Sequence, residues 1–137
     1  MDNTKINNPF NIRGGKDAWK GKIGEKDGFV MFQSVAFAIR CMLVLSNTYI
    51  NKYKIKTIKE FISTYAPPSE NDTATYIRNV CTWNGWKPDT EIRKTRGFVC
   101  DLIKSIARQE NQYKISDTDM AEGLKLFIAD NPNFFVE

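Results

Sequence analysis

Leu102-Ile103-Lys104-Ser105-Ile106-Ala107-Arg108-Gln109-Glu110-Asn111 is the stretch on which the reading of this chain turns. Ile103, Ile106 and Ala107 recur at helical spacing, and Glu110 falls on the same face. A carboxylate therefore stands where the apolar stripe predicts another leucine. An acid in that place is either a cap facing water or a group whose pKa has been raised for proton transfer. The rest of the sequence decides between them.

Outward from that helix the pattern is mainly helical. Ser34 caps a long helix, Val35 to about Asn51, whose apolar positions spread widely enough for a central core helix. Thr57 caps a shorter one through Tyr65, stopped by Pro67-Pro68. Asn71-Asp72-Thr73 opens another, Ala74 to about Trp83, which ends at Asn84-Gly85. The quoted stretch closes a fourth, about Arg96 to Glu110. A fifth runs from Asp117 to Ala129, with Ser116 or Asp117 as cap and Asn131-Pro132 as its stop. Most of the glycines lie before Phe29. There Phe10 to Arg13, Trp19 to Gly24 and Phe29 to Phe32 read as three short extended pieces, with Glu25-Lys26-Asp27-Gly28 as a turn. A sheet that small is stable only when packed against helices. The expected class is α+β, mainly α, with about five helices around a central helix and a small antiparallel β-lobe near the N-terminus. One domain is expected over residues 1–137, with the β-lobe at about 8–33 and the helical lobe at about 34–131.

Composition narrows the chemistry. Histidine is absent, which removes Ser-His and Cys-His nucleophile pairs and every histidine metal site. Cys41, Cys81 and Cys100 lack metal-ligand spacing and are expected as reduced core thiols, so neither a metal nor a cofactor is expected. Carboxylates remain as the natural acid and base, which points toward glycosidic or similar hydrolysis. Among them only Glu110 is placed by periodicity on an apolar face. Glu25 and Asp27 sit in the turn of the β-lobe, and Glu70 and Asp72 flank a helix start where acids serve as caps. Trp19, Tyr65, Tyr76, Trp83 and Trp86 suit stacking on sugar rings as well as filling a core.

The net charge of +4 suits a polyanionic partner such as cell wall. Lys52, Lys54, Lys56 and Lys59 form one basic group, and Arg93, Lys94 and Arg96 another. No nucleic-acid motif accompanies them, and no nucleic-acid partner is expected. No apolar run approaches the roughly 20 residues of a membrane span. Met1-Asp2-Asn3-Thr4-Lys5 lacks the features of a signal peptide, so a protein made in the cytoplasm would need delivery to act at the cell wall or periplasm.

Several segments then resemble a known family. Asn7-Asn8-Pro9-Phe10-Asn11-Ile12-Arg13-Gly14 is similar to the "NNLFGIKG" segment of the N-acetylglucosaminidases of glycoside hydrolase family 73, which have a lysozyme-like fold. Phe29-Val30-Met31-Phe32-Gln33-Ser34 with Ala38-Ile39-Arg40 follows in the same order. Tyr65-Ala66-Pro67-Pro68, Asn71 to Tyr76 and Val80 look like that family's "YATDPxYAxKV". Closer still is a group of small phage and bacterial proteins, often labelled virion structural proteins, with an "NNPGNIR" pattern. Ile106 to Asn111 resembles that group's "IARQENG".

The resemblance implies a single lysozyme-like domain, a glycoside hydrolase or lytic transglycosylase cleaving the peptidoglycan glycan strand, with Glu110 as general acid. Glu25 or Asp27 on the β-lobe is the weaker candidate for a second group, and substrate assistance by the N-acetyl group or a lytic route to an anhydro sugar would need none. Tyr76 would carry over as the family's cleft tyrosine. Asn8, Asn11 and Arg13 would order the lobe and line the site; Asn71 and, for their aromatic rings, Tyr65 and Trp83 are further candidates for substrate contact. The rival implication is a non-catalytic virion or wall-binding protein of the same shape. Implied partners are peptidoglycan glycan strands, a virion or secretion apparatus that delivers the protein, and an immunity or inhibitor protein. In the glucosaminidases the catalytic glutamate precedes "NNLFGIKG"; here the matching helix lies at the other end. A circular permutation is therefore expected, made cheap if the chain ends lie close together.

Overall fold

The computed structural model describes residues 2–137, an α+β chain that is mainly α. After a short 3-10 turn, Thr4–Ile6, come β1 (Lys22–Lys26) and β2 (Phe29–Phe32). They are followed by α1 (Val35–Asn47), α2 (Ile58–Tyr65), α3 (Thr73–Asn84), α4 (Arg96–Asn111) and α5 (Asp117–Asp130). Each helix starts on a side-chain oxygen that accepts a backbone N–H of the first turn: Ser34, Thr57, Asp72, Thr95 and Ser116. Gly85, with φ +68°, ends α3 in the left-handed conformation that suits a residue without Cβ.

The sheet has two strands, not three. β1 and β2 pair antiparallel across Asp27-Gly28, both at positive φ as a tight hairpin turn requires. Phe10 to Arg13 forms no strand. Asn11 sits at φ 55°, which breaks extended geometry, and only an Arg13–Phe29 bridge remains. Asn8 takes over the missing pairing. Its side chain accepts from Ile12 N at 3.0 Å and donates to Ile12 O and Val30 O, each at 2.9 Å. β1 also begins later than Trp19, because Trp19 to Gly21 turns back toward α1.

The first helix is also shorter than expected. Past Asn47 the chain widens into a π-helical turn, Thr48–Lys52, which closes on a Tyr53 N to Thr48 O bond. Tyr49 then packs edge-on against Phe61, with ring centroids 5.1 Å apart.

The core is continuous through both parts of the chain. Phe10 and Phe32 from the lobe meet Ile39, Met42 and Leu43 of α1, with Leu102, Ile103 and Ile106 of α4 and Phe127 of α5, all fully buried. α1 and α5 pack closely at Gly123, where a Cβ would lie 2.4 Å from Ile39 Cγ2. Arg40, 9% exposed, reaches Asp130 at 3.0 Å across the same interface. Cys41, Cys81 and Cys100 are buried free thiols.

The chain ends are not neighbours. Asn3 N bonds Asn111 at the end of α4, whereas Glu137 accepts from Arg96 N at its start. The ends therefore lie about 24 Å apart, the length of that helix. No helix of the described residues is long and apolar enough to cross a membrane.

Candidate functional site

Glu110 lies on the last turn of α4, one helical step beyond the fully buried Ile103, Ile106 and Ala107. Its carboxylate is half-buried in the wall of a groove of about 440 Å³ between the lobe and the helices. Asn11 Nδ2 donates to its Oε1 at 2.8 Å, and Tyr76 Oη donates to its Oε2 at 3.0 Å.

Burial raises the Glu110 pKa; the bonds from Asn11 and Tyr76, and the positive charge of Arg13, pull the other way without cancelling that rise. Each carboxylate oxygen has a second lone pair, so both donors can be kept while one position is free to carry a proton. This is a carboxyl equipped to hold a proton above the ordinary carboxylate range and to release it into the groove.

The orientation of Asn11 is fixed by its neighbours. Its Oδ1 accepts from Asn3 Nδ2 at 2.7 Å and from Asn111 Nδ2 at 2.9 Å, which leaves its own amide N–H groups for Glu110. Asn111 also donates to Pro9 O at 2.8 Å. The left-handed backbone at Asn11 is what turns its side chain from the hairpin toward α4.

The groove holds several of the residues singled out in the sequence. Asn11, Arg13, Tyr65, Asn71 and Glu110 line it together. Tyr65 donates to Phe10 O at 2.5 Å, tying α2 to the lobe across the groove floor. Arg13 lies over the Phe29 ring at 5.3 Å.

Five residues stand elsewhere or act differently. Tyr76 is 3% exposed and does not line the groove, so it reaches only Glu110 and cannot touch a ligand there. Asn8 is fully buried and holds the backbone of the lobe; it contacts no ligand. Trp83 lies on the other flank of α4, under Arg108 at 4.0 Å. Glu25 is turned away from the groove. Its Oε2 accepts from Gly15 N at 3.0 Å and from Lys22 Nζ at 2.9 Å, and the Lys22 bond chiefly holds its carboxyl below the usual range. Asp27 occupies the hairpin turn and is exposed.

What Glu25 holds is a loop. A Cβ on Gly14 would meet its carboxyl carbon at 2.3 Å, so glycine admits the carboxylate. Lys22 Nζ also donates to Gly15 O and Asp17 O. Further on, Lys20 pairs with Asp130, and Gly21, at φ +80°, lies where a Cβ would meet the Phe37 ring at 2.2 Å. The loop so pinned places Asp17 and Trp19 in the groove wall opposite the helices.

Asp17, Tyr49 and Glu70 are polar groove residues that patterning did not assign to a site. The carboxylates of Asp17 and Glu70 have no hydrogen-bond partner among the described residues. Asp17-Ala18-Trp19, an acid and an aromatic between Gly14-Gly15 and Gly21, was the available signal. Among the described residues no cluster of three metal-ligating side chains occurs.

No family model matches this chain. It is similar to Protein P5 of Pseudoalteromonas phage PM2, 34% identical over 84 residues. That overlap covers 58% of this chain and 52% of the phage protein, so the chain spans about half the length of the relative it matches. The similarity is to a phage protein, and it covers more than half of the chain.

Proposed function

We propose that the chain is a lysozyme-like hydrolase of the peptidoglycan glycan strand, with Glu110 as its general acid. The observation that carries this reading is the half-buried Glu110 carboxylate. Its pKa is raised by desolvation, and it opens on a groove walled by Trp19, Tyr49 and Tyr65 and edged by Asn11 and Asn71. Such a groove matches sugar rings, which present apolar faces and hydroxyl rims.

Glu110 would protonate the departing glycosidic oxygen as the bond to the anomeric carbon breaks. Tyr76 and Asn11 keep the carboxyl aimed and, once the proton has left, stabilise its anion. Glu25 is held away from the groove, so the second group is sought among the groove's own acids. We assign it to Asp17, on the wall contributed by the lobe, where a carboxylate can take the proton of an attacking water.

Placement of α4 against Asn8 to Arg13 favours the permuted relation to the family 73 glucosaminidases, because the end of that helix and the start of the chain lie side by side; the separation of the two chain ends by the length of α4 counts against it. The similarity to a phage protein suits delivery by a virion. It equally favours a second reading, a virion component of this shape without turnover.

The test is wild-type protein on purified peptidoglycan beside Glu110→Gln, Asp17→Asn and Glu70→Gln. Wild type is expected to release muropeptides and Glu110→Gln to lose at least about a hundredfold in rate, the usual weight of a general acid. Asp17→Asn is expected to fall further than Glu70→Gln. Binding of glycan without release of products by the wild type would favour the virion component instead.

A further inference from the structure

α4 separates two concavities. The groove holding Glu110 is on one flank; on the other lies a second cavity of the same size, about 440 Å³, between α3, α4 and the start of α5. Trp83 and Tyr113 form its apolar sides, and Arg108 lies over the Trp83 ring at 4.0 Å. Stacking occupies the face of the guanidinium and leaves its edge N–H groups free to donate.

None of Lys104, Arg108 and Lys114 is within salt-bridge distance of a carboxylate among the described residues. Asp101 and Asp117 share the cavity and are likewise unpaired. Side-chain groups of Lys104, Arg108, Lys114 and Tyr113 converge there with no hydrogen-bond partner among the described residues. The deeper Ser105 and Asn84 are bonded to each other at 2.8 Å. Three cations interspersed with two anions beside aromatic walls offer partners for both charges of a short zwitterionic chain, whereas a polyanion would leave Asp101 and Asp117 unmatched.

We propose that this cavity binds a short peptide bearing both carboxylate and amine groups, of the kind attached to the sugars of bacterial wall. Arg108 takes a carboxylate, Asp101 or Asp117 takes the amine, and Trp83 and Tyr113 flank the backbone. The choice of wall peptide rests on the reading of the groove as a glycan site. Arg108 and Glu110 are two positions apart on opposite flanks of a helix about 10 Å across, within reach of an extended peptide of about four residues.

The experiment is NMR titration of the 15N-labelled full chain with the free tetrapeptide of bacterial wall, and in parallel with inorganic tripolyphosphate. The chain has three tryptophans, and Trp83→Phe assigns the indole signal of Trp83. The tetrapeptide is expected to move that signal saturably and leave Trp19 still. Arg108→Met, which keeps the apolar stem on the ring, should weaken binding at least about tenfold, the loss expected for charge-assisted bonds. Glu110→Gln should leave it unchanged.

The proposal is overturned if Trp83 does not respond to millimolar peptide, if Arg108→Met binds as well as wild type, or if tripolyphosphate binds more tightly. Muropeptide release by wild type reports separately on the groove. If release fails while the tetrapeptide still binds through Arg108, the glycan reading falls and the peptide site stands.

Discussion

The Tyr76 hydroxyl donates to Glu110 Oε2 at 3.0 Å from a ring only 3% exposed, so the tyrosine acts on the carboxyl and on nothing that enters the groove. Burial and the Glu110 charge both hold the phenol well above its ordinary pKa, so it remains a donor throughout the working range of a carboxyl.

Tyr76→Phe removes a bond that favours ionised Glu110, so the Glu110 pKa rises further. The basic limb of the pH–rate profile for peptidoglycan release is expected to move to higher pH. The rate on the acidic plateau should fall by about twofold to tenfold as aiming is lost. A limb that stays in place would remove Tyr76 from control of Glu110.

Glu110→Gln is expected to stabilise the fold at neutral pH. The folded pKa of Glu110 is raised by desolvation, so its contribution to stability is fully present below the unfolded value of about 4.3 and is lost as pH rises through the folded value. A neutral glutamine escapes that loss. Melting temperatures of the two proteins should separate at pH 7, with the variant higher, and converge in acid. Equal values at pH 7 would mean that burial of the carboxylate costs nothing.

Gly14→Ala places a Cβ against the Glu25 carboxylate and expels it, while Glu25→Gln weakens the same clamp. Both changes free the loop that carries Asp17 and Trp19. With a soluble glycan oligomer, KM should rise by about threefold to tenfold, and the pH limb set by Glu110 should not move. A shifted limb with unchanged KM would tie Glu25 to the carboxyl rather than to the loop.

Gly123→Ala tests the contact of α1 with α5. Alanine usually improves a helix by up to about 1 kcal/mol. Here its Cβ would meet Ile39 Cγ2 at 2.4 Å and Ala36 O at 3.1 Å, and overpacking should cost about 1–3 kcal/mol instead. Urea denaturation reads the sign directly.

Helix positions were legible in the sequence because their signals are local. Ser34, Thr57 and Asp72 announce three starts, and Gly85 one end, within a few residues of the backbone they satisfy. The apolar surroundings of Glu110 were legible for a similar reason, since 3.6-residue spacing alone puts it beside Ile103 and Ile106. The third strand was misread because Phe10-Asn11-Ile12 alternates like a strand, while the left-handed turn at Asn11 depends on partners as distant as Asn111. Patterning singles out Glu25 and Asp27 and passes over Asp17 for the same cause. Which of two nearby acids faces the groove depends on Gly14 admitting one of them, a steric fact with no periodicity. Trp83 was placed by aromatic character, which carries no information about the flank of α4 on which it falls.

The amide cluster of Asn3, Asn11 and Asn111 also sets a schedule. Its members are up to 108 positions apart, and Asn11 and Glu110 are 99 apart. At the usual pace of translation roughly 5–20 s separate their synthesis. Until α4 has been made and has docked, Glu110 is a water-exposed carboxylate without its two donors. The buried, raised-pKa state of Glu110 is acquired only at the completion of folding, and a nascent or truncated product lacking the amides at either end does not reach it.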